Sequence, residues 1–381
     1  MKKFVLMIFA AFMAASFASC SDDDNKGEGM ETISGFYTIN GGRKSTNIPA
    51  SITSYSYTTD QSTGALEDAF YNANGVRIGD GAQKAIIYGN KMYIAMSTSN
   101  IVWVVDPISL KIIKQITPAG VAQTPRAVVA KNGKVYVSMY TGYISELDTT
   151  TLTLDRNIEV GPNPDQITLS GDKLIVACSD GQNSKGTATN GVKYGNSCIS
   201  IVDLKTLTET KIQDLNKVLN PTDAASNGTD AFVVCKGDYE NNPNVVKKVV
   251  GNDVQEVGLG TLIAVNANKL YVINAPYVSG ATNKDSFTYK VYDVNTLQEI
   301  GSIANMVKGE DSWILYPNGI AVDPESGDIV ILSYTLDANG IPQYGEPCYA
   351  NIYDASGNFK KRIECGVGAR AVTFINEKIA K

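Results

Sequence analysis

Histidine is missing from all 381 residues. Its absence removes Ser-His-Asp and Cys-His catalysis, c-type haem attachment and most zinc or copper sites, which rely on imidazole. An excess of positive charge is missing too. Lysine and arginine number 33 against 39 aspartates and glutamates, a formal charge of −6, whereas a nucleic-acid partner wants a basic footprint. No long periodic helical pattern runs through the chain. What is plentiful is glycine, 34 residues, and tyrosine, 20, in a chain that is 43% hydrophobic. That balance points to an all-β protein rich in tight turns, with enough apolar material for a large core.

The front end reads as a targeting segment. Lys2 and Lys3 form a charged head, and residues 4–15 are an apolar stretch too short to span a bilayer. Phe17-Ala18-Ser19-Cys20 resembles a lipobox, which makes Cys20 the expected lipidation site. The alternative is an ordinary secretory signal cleaved nearby. Loss of residues 1–19 takes both lysines away and leaves −8. Ser21-Asp22-Asp23-Asp24 looks like the acidic export signal of Bacteroidetes surface lipoproteins. Residues 20–32 then serve as a polar tether, and the expected address is the outer membrane, lipid-anchored and facing outward.

The organising unit is the stretch 124–158. It reads as four short strands, 126–130, 134–139, 143–148 and 153–158, the first two joined by Asn132-Gly133, a two-residue hairpin signal. Such a unit cannot bury both faces alone, and the chain supplies copies. Inner-strand starts align as Gln83-Lys84-Ala85-Ile86, Pro125-Arg126-Ala127-Val128, Asp165-Gln166-Ile167-Thr168, Thr222-Asp223-Ala224-Ala225, Thr261-Leu262-Ile263-Ala264, Asn318-Gly319-Ile320-Ala321 and Ala369-Arg370-Ala371-Val372. Seven copies of four antiparallel strands predict a seven-bladed β-propeller over residues 33–381. Both termini share the last blade: 36–39, 50–57 and 66–71 supply its second, third and fourth strands, and 370–374 its first. Extra length falls at 179–197, 274–288, 333–347 and 304–316, all on the face carrying second-to-third and blade-to-blade loops. The opposite face keeps tight turns. One elaborated face and one trimmed face suggest a scaffold presenting a binding surface.

The repeated Lys-x-Tyr-Val pattern, as in Lys134-Val135-Tyr136-Val137, resembles the YncE-like, surface-layer-type seven-bladed propellers. Gly35-Phe36-Tyr37-Thr38-Ile39-Asn40 and Asn74-Gly75-Val76-Arg77-Ile78-Gly79-Asp80 resemble the Bacteroidetes lipoprotein branch that includes the BtuG cobalamin-capturing proteins. The resemblance implies cobalamin as a transported ligand, with no resident cofactor, and a TonB-dependent outer-membrane transporter as partner. A glycan- or protein-binding module of another surface complex is the alternative. A histidine-free lyase or hydrolase is the third class, although virginiamycin-lyase-like propellers use histidine and the Asp boxes of sialidase propellers are missing.

Candidate contacts follow from the repeat. Lys84, Arg126, Gln166, Asp223 and Arg370 occupy one aligned position, flanked by Gln83, Asp165 and Asn318, and are expected to rim the central channel on the elaborated face. Tyr140, Tyr143, Tyr239, Tyr277, Trp313 and Tyr334 lie in or beside that face's loops, where rigid aromatic surface with a polar tip suits a large amphipathic ligand. Tyr93, Tyr136, Phe232 and Tyr271 share a strand position and belong to the core. Strand-ending Asp106, Asp148, Asp203, Asp293 and Asp354 are expected to fix turns. Two disulfides are expected, Cys178–Cys198 and Cys348–Cys365, with Cys235 unpaired. No metal site is expected.

Overall fold

In the computed structural model the described residues are 30–189, 191–277, 280, 286–303 and 316–380. They form seven four-stranded antiparallel sheets. Contacts between innermost strands run from each blade to the next and back to the first, so the sheets close into a ring. The blades, numbered along the chain, have innermost strands Ala82–Tyr88, Pro125–Lys131, Pro164–Ser170, Pro221–Ser226, Leu262–Asn266, Tyr316–Val322 and Ala369–Ala380. The expected seven-bladed propeller is the fold.

Strand alternation explains why the blades stack. In the second strand of blade 1, Lys91–Met96, Met92, Ile94 and Met96 pack toward blade 7 while Tyr93 and Ala95 pack toward blade 2. Side chains on successive residues leave a strand on opposite faces, so a sheet with neighbours on both sides must be apolar on both. The repeated aromatics obey this: Tyr93, Tyr136, Phe232 and Tyr271 are all buried.

Blade 7 holds the ring shut. Its order is Ala369–Ala380, Met30–Asn40, Ser51–Ser56, Gln61–Ser62. Met30 through Asn40 pair with the last strand as far as Ala380, with one shift at Ile39/Asn40. The fourth strand differs from expectation. It is the two-residue Gln61–Ser62, and 69–74, whose first residues were expected in that strand, is the helix Ala69–Asn74. Asp68 caps it by accepting from the Phe70 N–H at 3.1 Å, and Gly75 closes it at φ +70°. Phe70 is buried against Trp103 of blade 1, ring centroids 5.3 Å apart, so the helix seals the blade 7–blade 1 seam.

Three of the four expected insertions fall on one face, and the fourth, 304–316, lies outside the described residues except for Tyr316. The loops 179–197, 275–287 and 335–346 all join second to third strands. On the other face the strand-ending aspartates make local turns: each of Asp106, Asp148, Asp203, Asp293 and Asp354 accepts two backbone N–H bonds from residues two to four positions on.

The cysteines lie where the expected pairs require, opposite one another across a hairpin. Cys178 lies directly opposite Cys198, and Cys348 opposite Cys365, yet all four are free buried thiols, as is Cys235. The Cys178 and Cys198 thiols lie against each other, and each also meets the Ser200 hydroxyl, at 3.4 and 3.7 Å. The targeting segment 1–19, Cys20 and most of the tether lie outside the described residues.

Candidate functional site

The heads of the innermost strands are built to turn side chains inward. In blades 1, 2, 3, 4 and 7 the residue before the strand has positive φ: Gly81, Thr124, Asn163, Asn220 and Gly368. The next residue pairs normally, and then the register slips, between Ala82 and Lys84, Pro125 and Ala127, Pro164 and Ile167, Pro221 and Asp223. Blades 6 and 7 slip in the same place, around Asn318 and Arg370. A β-bulge leaves one residue unpaired and re-aims its side chain. Gln83, Arg126, Asp165, Thr222, Asn318 and Arg370 are those residues, with Gln166 after Asp165 unpaired as well, and all of them line one funnel.

This register corrects the aligned ring. Lys84, Gln166 and Asp223 sit one step deeper than Arg126 and Arg370, because they follow the bulge residue rather than occupy it. The deeper residues also line the funnel, whose volume is about 720 Å³. Its upper wall includes Tyr140, Ser179, Tyr194, Lys236 and Tyr239.

The polar groups are tied together unequally. Arg126 forms a two-pronged pair with Asp165, Nε to Oδ1 at 3.0 Å and Nη2 to Oδ2 at 2.9 Å, while its guanidinium lies 4.7 Å from the centre of the Tyr140 ring. Burial works against its charge, but the adjacent Asp165 carboxylate outweighs that and raises the guanidinium above its ordinary value. Gly181 leaves room for the Tyr140 hydroxyl, which a Cβ there would strike. Arg370 donates from Nη1 to Gln83 Oε1 at 2.8 Å, and Gln83 Nε2 donates to Ser97 Oγ at 2.7 Å. Asn318 donates from Nδ2 to the Ala369 carbonyl at 2.6 Å and the Tyr334 hydroxyl at 3.2 Å.

Lys84 and Asp223 influence one another across the channel without an ion pair. Burial lowers the Lys84 ammonium, with Asp223 opposing, and burial raises the Asp223 carboxyl, with Lys84 opposing. Burial also lowers Arg370. These are the marks of charges held in a narrow channel without full compensation.

Aromatics crowd one arc of the rim. Tyr194 and Tyr239 rings stand 6.4 Å apart, and those of Tyr334 and Tyr344 5.0 Å. Tyr277, from the blade 5 loop, and Tyr239 both act electrostatically on the Tyr316 phenol, which burial pushes up to about 12. Tyr239 is 54% exposed and Tyr277 63%. Tyr334 supports Asn318 from behind, buried. Tyr143 does not join this surface: it packs half-buried among the apolar residues between blades 1 and 2. Trp313 lies outside the described residues. Among the described residues no three Cys, Asp or Glu side chains converge as a metal ion would require.

Sequence reasoning overlooked Lys236 and Thr222. The signal for Lys236 was present, since it follows the second strand of blade 4 as Tyr140 follows that of blade 2. Each donates its backbone N–H to the residue before the strand-head proline, Asn220 and Thr124.

No protein-family profile matches the chain, and no curated protein matches it. Among solved structures it is similar to a Kuenenia stuttgartiensis hydrazine synthase, 13% identical over 77% of this chain and 94% of that chain, TM-score 0.49. It is also similar to the computationally designed Ika8 protein, 11% identical over 78% and 96%, TM-score 0.47. Likeness at that level carries no argument, and the fold stands on the strand pairing itself.

Proposed function

We propose that this protein is a non-catalytic capture protein, held on the outer membrane through Cys20, that takes up a corrinoid such as cobalamin and hands it to a TonB-dependent transporter. One observation supports the reading above others. The elaborated face opens into a funnel of about 720 Å³ whose wall carries amide and guanidinium donors together with the rings of Tyr140, Tyr194 and Tyr239. Pockets of that volume suit small organic ligands and cofactors. A corrin ring edged with amides asks for both kinds of contact: Gln83, Gln166, Asn318, Arg126 and Arg370 for hydrogen bonds, Tyr140, Tyr239 and Tyr277 for the flat surface.

Titration of cyanocobalamin into the mature protein tests the reading. Binding at micromolar ligand, weakened in a Tyr239→Ala variant, is expected; no heat and no spectral change at those concentrations rejects the corrinoid. The exposed rings of Tyr239 and Tyr277 beside polar donors favour a second reading, a glycan stacked on the same rim, and a glycan array is the corresponding measurement.

A further inference from the structure

The funnel's charge is at odds with the rest of the molecule. The whole chain carries −6, yet the charged residues lining the funnel are four cations, Lys84, Arg126, Lys236 and Arg370, and two carboxylates, Asp165 and Asp223. The carboxylates do not cancel the cations evenly. Asp165 is hydrogen-bonded by both prongs of Arg126, and its effect on Arg370, which it favours, is opposed by that of Arg126. Asp223 accepts its own neighbour's N–H, from Ala224 at 2.9 Å, and feels Lys84 and Lys236 without bonding either.

That leaves blades 7 and 1 with a positive pole. Among the described residues Arg370 has one side-chain hydrogen bond, to a neutral amide, so most of its guanidinium donors are open. Lys84 makes no hydrogen bond and no ion pair among the described residues. Gln83, between them, is fixed by Ser97 and Gly81. Of the tyrosine arc, Tyr194, Tyr239 and Tyr277 belong to blades 3, 4 and 5, on the far side of the ring, while Tyr344 belongs to blade 6 beside blade 7, with the Arg43 guanidinium 5.8 Å from its ring centre.

We propose that the head of blades 7 and 1 is an anion site, in which Arg370 and Lys84 bind a carboxylate or phosphate group of a ligand whose flat body lies on the tyrosine arc. The proposal rests on the funnel being a ligand site but not on the ligand being a corrinoid. It also fixes orientation: the ligand enters with its negative end toward blades 7 and 1. Burial lowers both cations, and an anion bound beside them in the funnel would relieve that depression.

Small probes separate the parts of the claim. Benzoate and phenyl phosphate carry the two anionic groups on a flat ring, and benzamide is the neutral match of benzoate. Calorimetric titration of the mature protein is expected to show at least one anion binding about tenfold or more tighter than benzamide, the scale of a charge-assisted contact. The tighter of the two anions identifies the group. Arg370→Gln and Lys84→Gln should each abolish most of that preference, bringing the anion and benzamide affinities together. Equal binding of benzamide and both anions, or a preference that survives both substitutions, overturns the proposal. Circular dichroism reports whether the variants fold. If either does not, salt decides in the wild type, because anion affinity must fall with sodium chloride while benzamide affinity holds. Cyanocobalamin takes no part, so its failure to bind with the anion preference intact removes the corrinoid alone.

Discussion

The two faces of the ring are made from the same repeat and spend their polar residues in opposite ways. On the trimmed face each strand-ending aspartate is satisfied by the backbone of its own turn. On the elaborated face the polar residues are half-enclosed and reach across blades, as Arg126 does to Asp165 and Arg370 to Gln83. Local bonds make one face self-sufficient, blade by blade. The other face works only when neighbours are in place, and it is there that charges are left with capacity for a ligand.

Ring closure sets the limit of that contrast, because it serves both faces. Ending the chain after Gly368 removes the innermost strand of blade 7 and is expected to abolish the cooperative transition in thermal circular dichroism. A truncated protein that still melts cooperatively near the wild-type temperature would show that each face holds without closure.

Glycines sharpen the comparison next. A Cβ at Gly161, on the elaborated side, would strike the Cys198 sulfur and the Cys178 side chain. Gly161→Ala should cost about 1–3 kcal/mol in urea unfolding, the range for overpacked interiors. Gly171, in a trimmed-face turn, has φ +57° and nothing within 4 Å of where a Cβ would stand, so Gly171→Ala should cost about 1 kcal/mol, for backbone strain alone. Equal costs would erase the distinction.

Ion pairs come third. Arg126 and Asp165 have side chains 24% and 15% exposed, and Asp165→Ala should cost about 1–2 kcal/mol by leaving the guanidinium underbonded. The exposed pair Lys217–Asp253 should show no measurable loss on Lys217→Ala.

The smallest effect is the most diagnostic, because its sign reverses between faces. Hydrogen bonds from the Thr151 N–H and then Lys134 hold Asp148 below the usual carboxylate range, and the Thr206 and Thr296 N–H groups do the same for Asp203 and Asp293. A depressed carboxyl contributes stability that is present above its unfolded value, about 3.9, and lost as pH falls below it. Asp148→Ala should therefore lower Tm at pH 7 and matter less under acid. Asp223, raised by burial, contributes stability lost as pH rises through its folded value. Asp223→Asn should raise Tm at pH 7, slightly, and do little under acid.

Blade number, ring closure and the inner and outer sides of each strand were legible because a two-residue period repeated seven times leaves few alternatives. The opposed cysteines were legible for the same reason, since hairpin register sets which residues face each other. The helix Ala69–Asn74 was missed because Ala69 and Phe70 continue an apolar pattern. The cue against a strand was Asp68 standing where a cap stands. The one-residue offset between Arg126 and Lys84 was beyond any alignment of strands, because a bulge adds a residue without changing the pattern below it. The expected polar residues of the funnel survived that error, since the bulge residue and its successor both reach the channel.

The paired ends of the chain decide which way the molecule looks. Asn40 stands at the elaborated face, so the strand Met30–Asn40 begins at the smooth one, and its partner finishes there at Ala380. Whatever precedes Met30 joins from beneath. Under the proposed anchor at Cys20, the tether would reach the ring on its smooth side, opposite the mouth of the funnel.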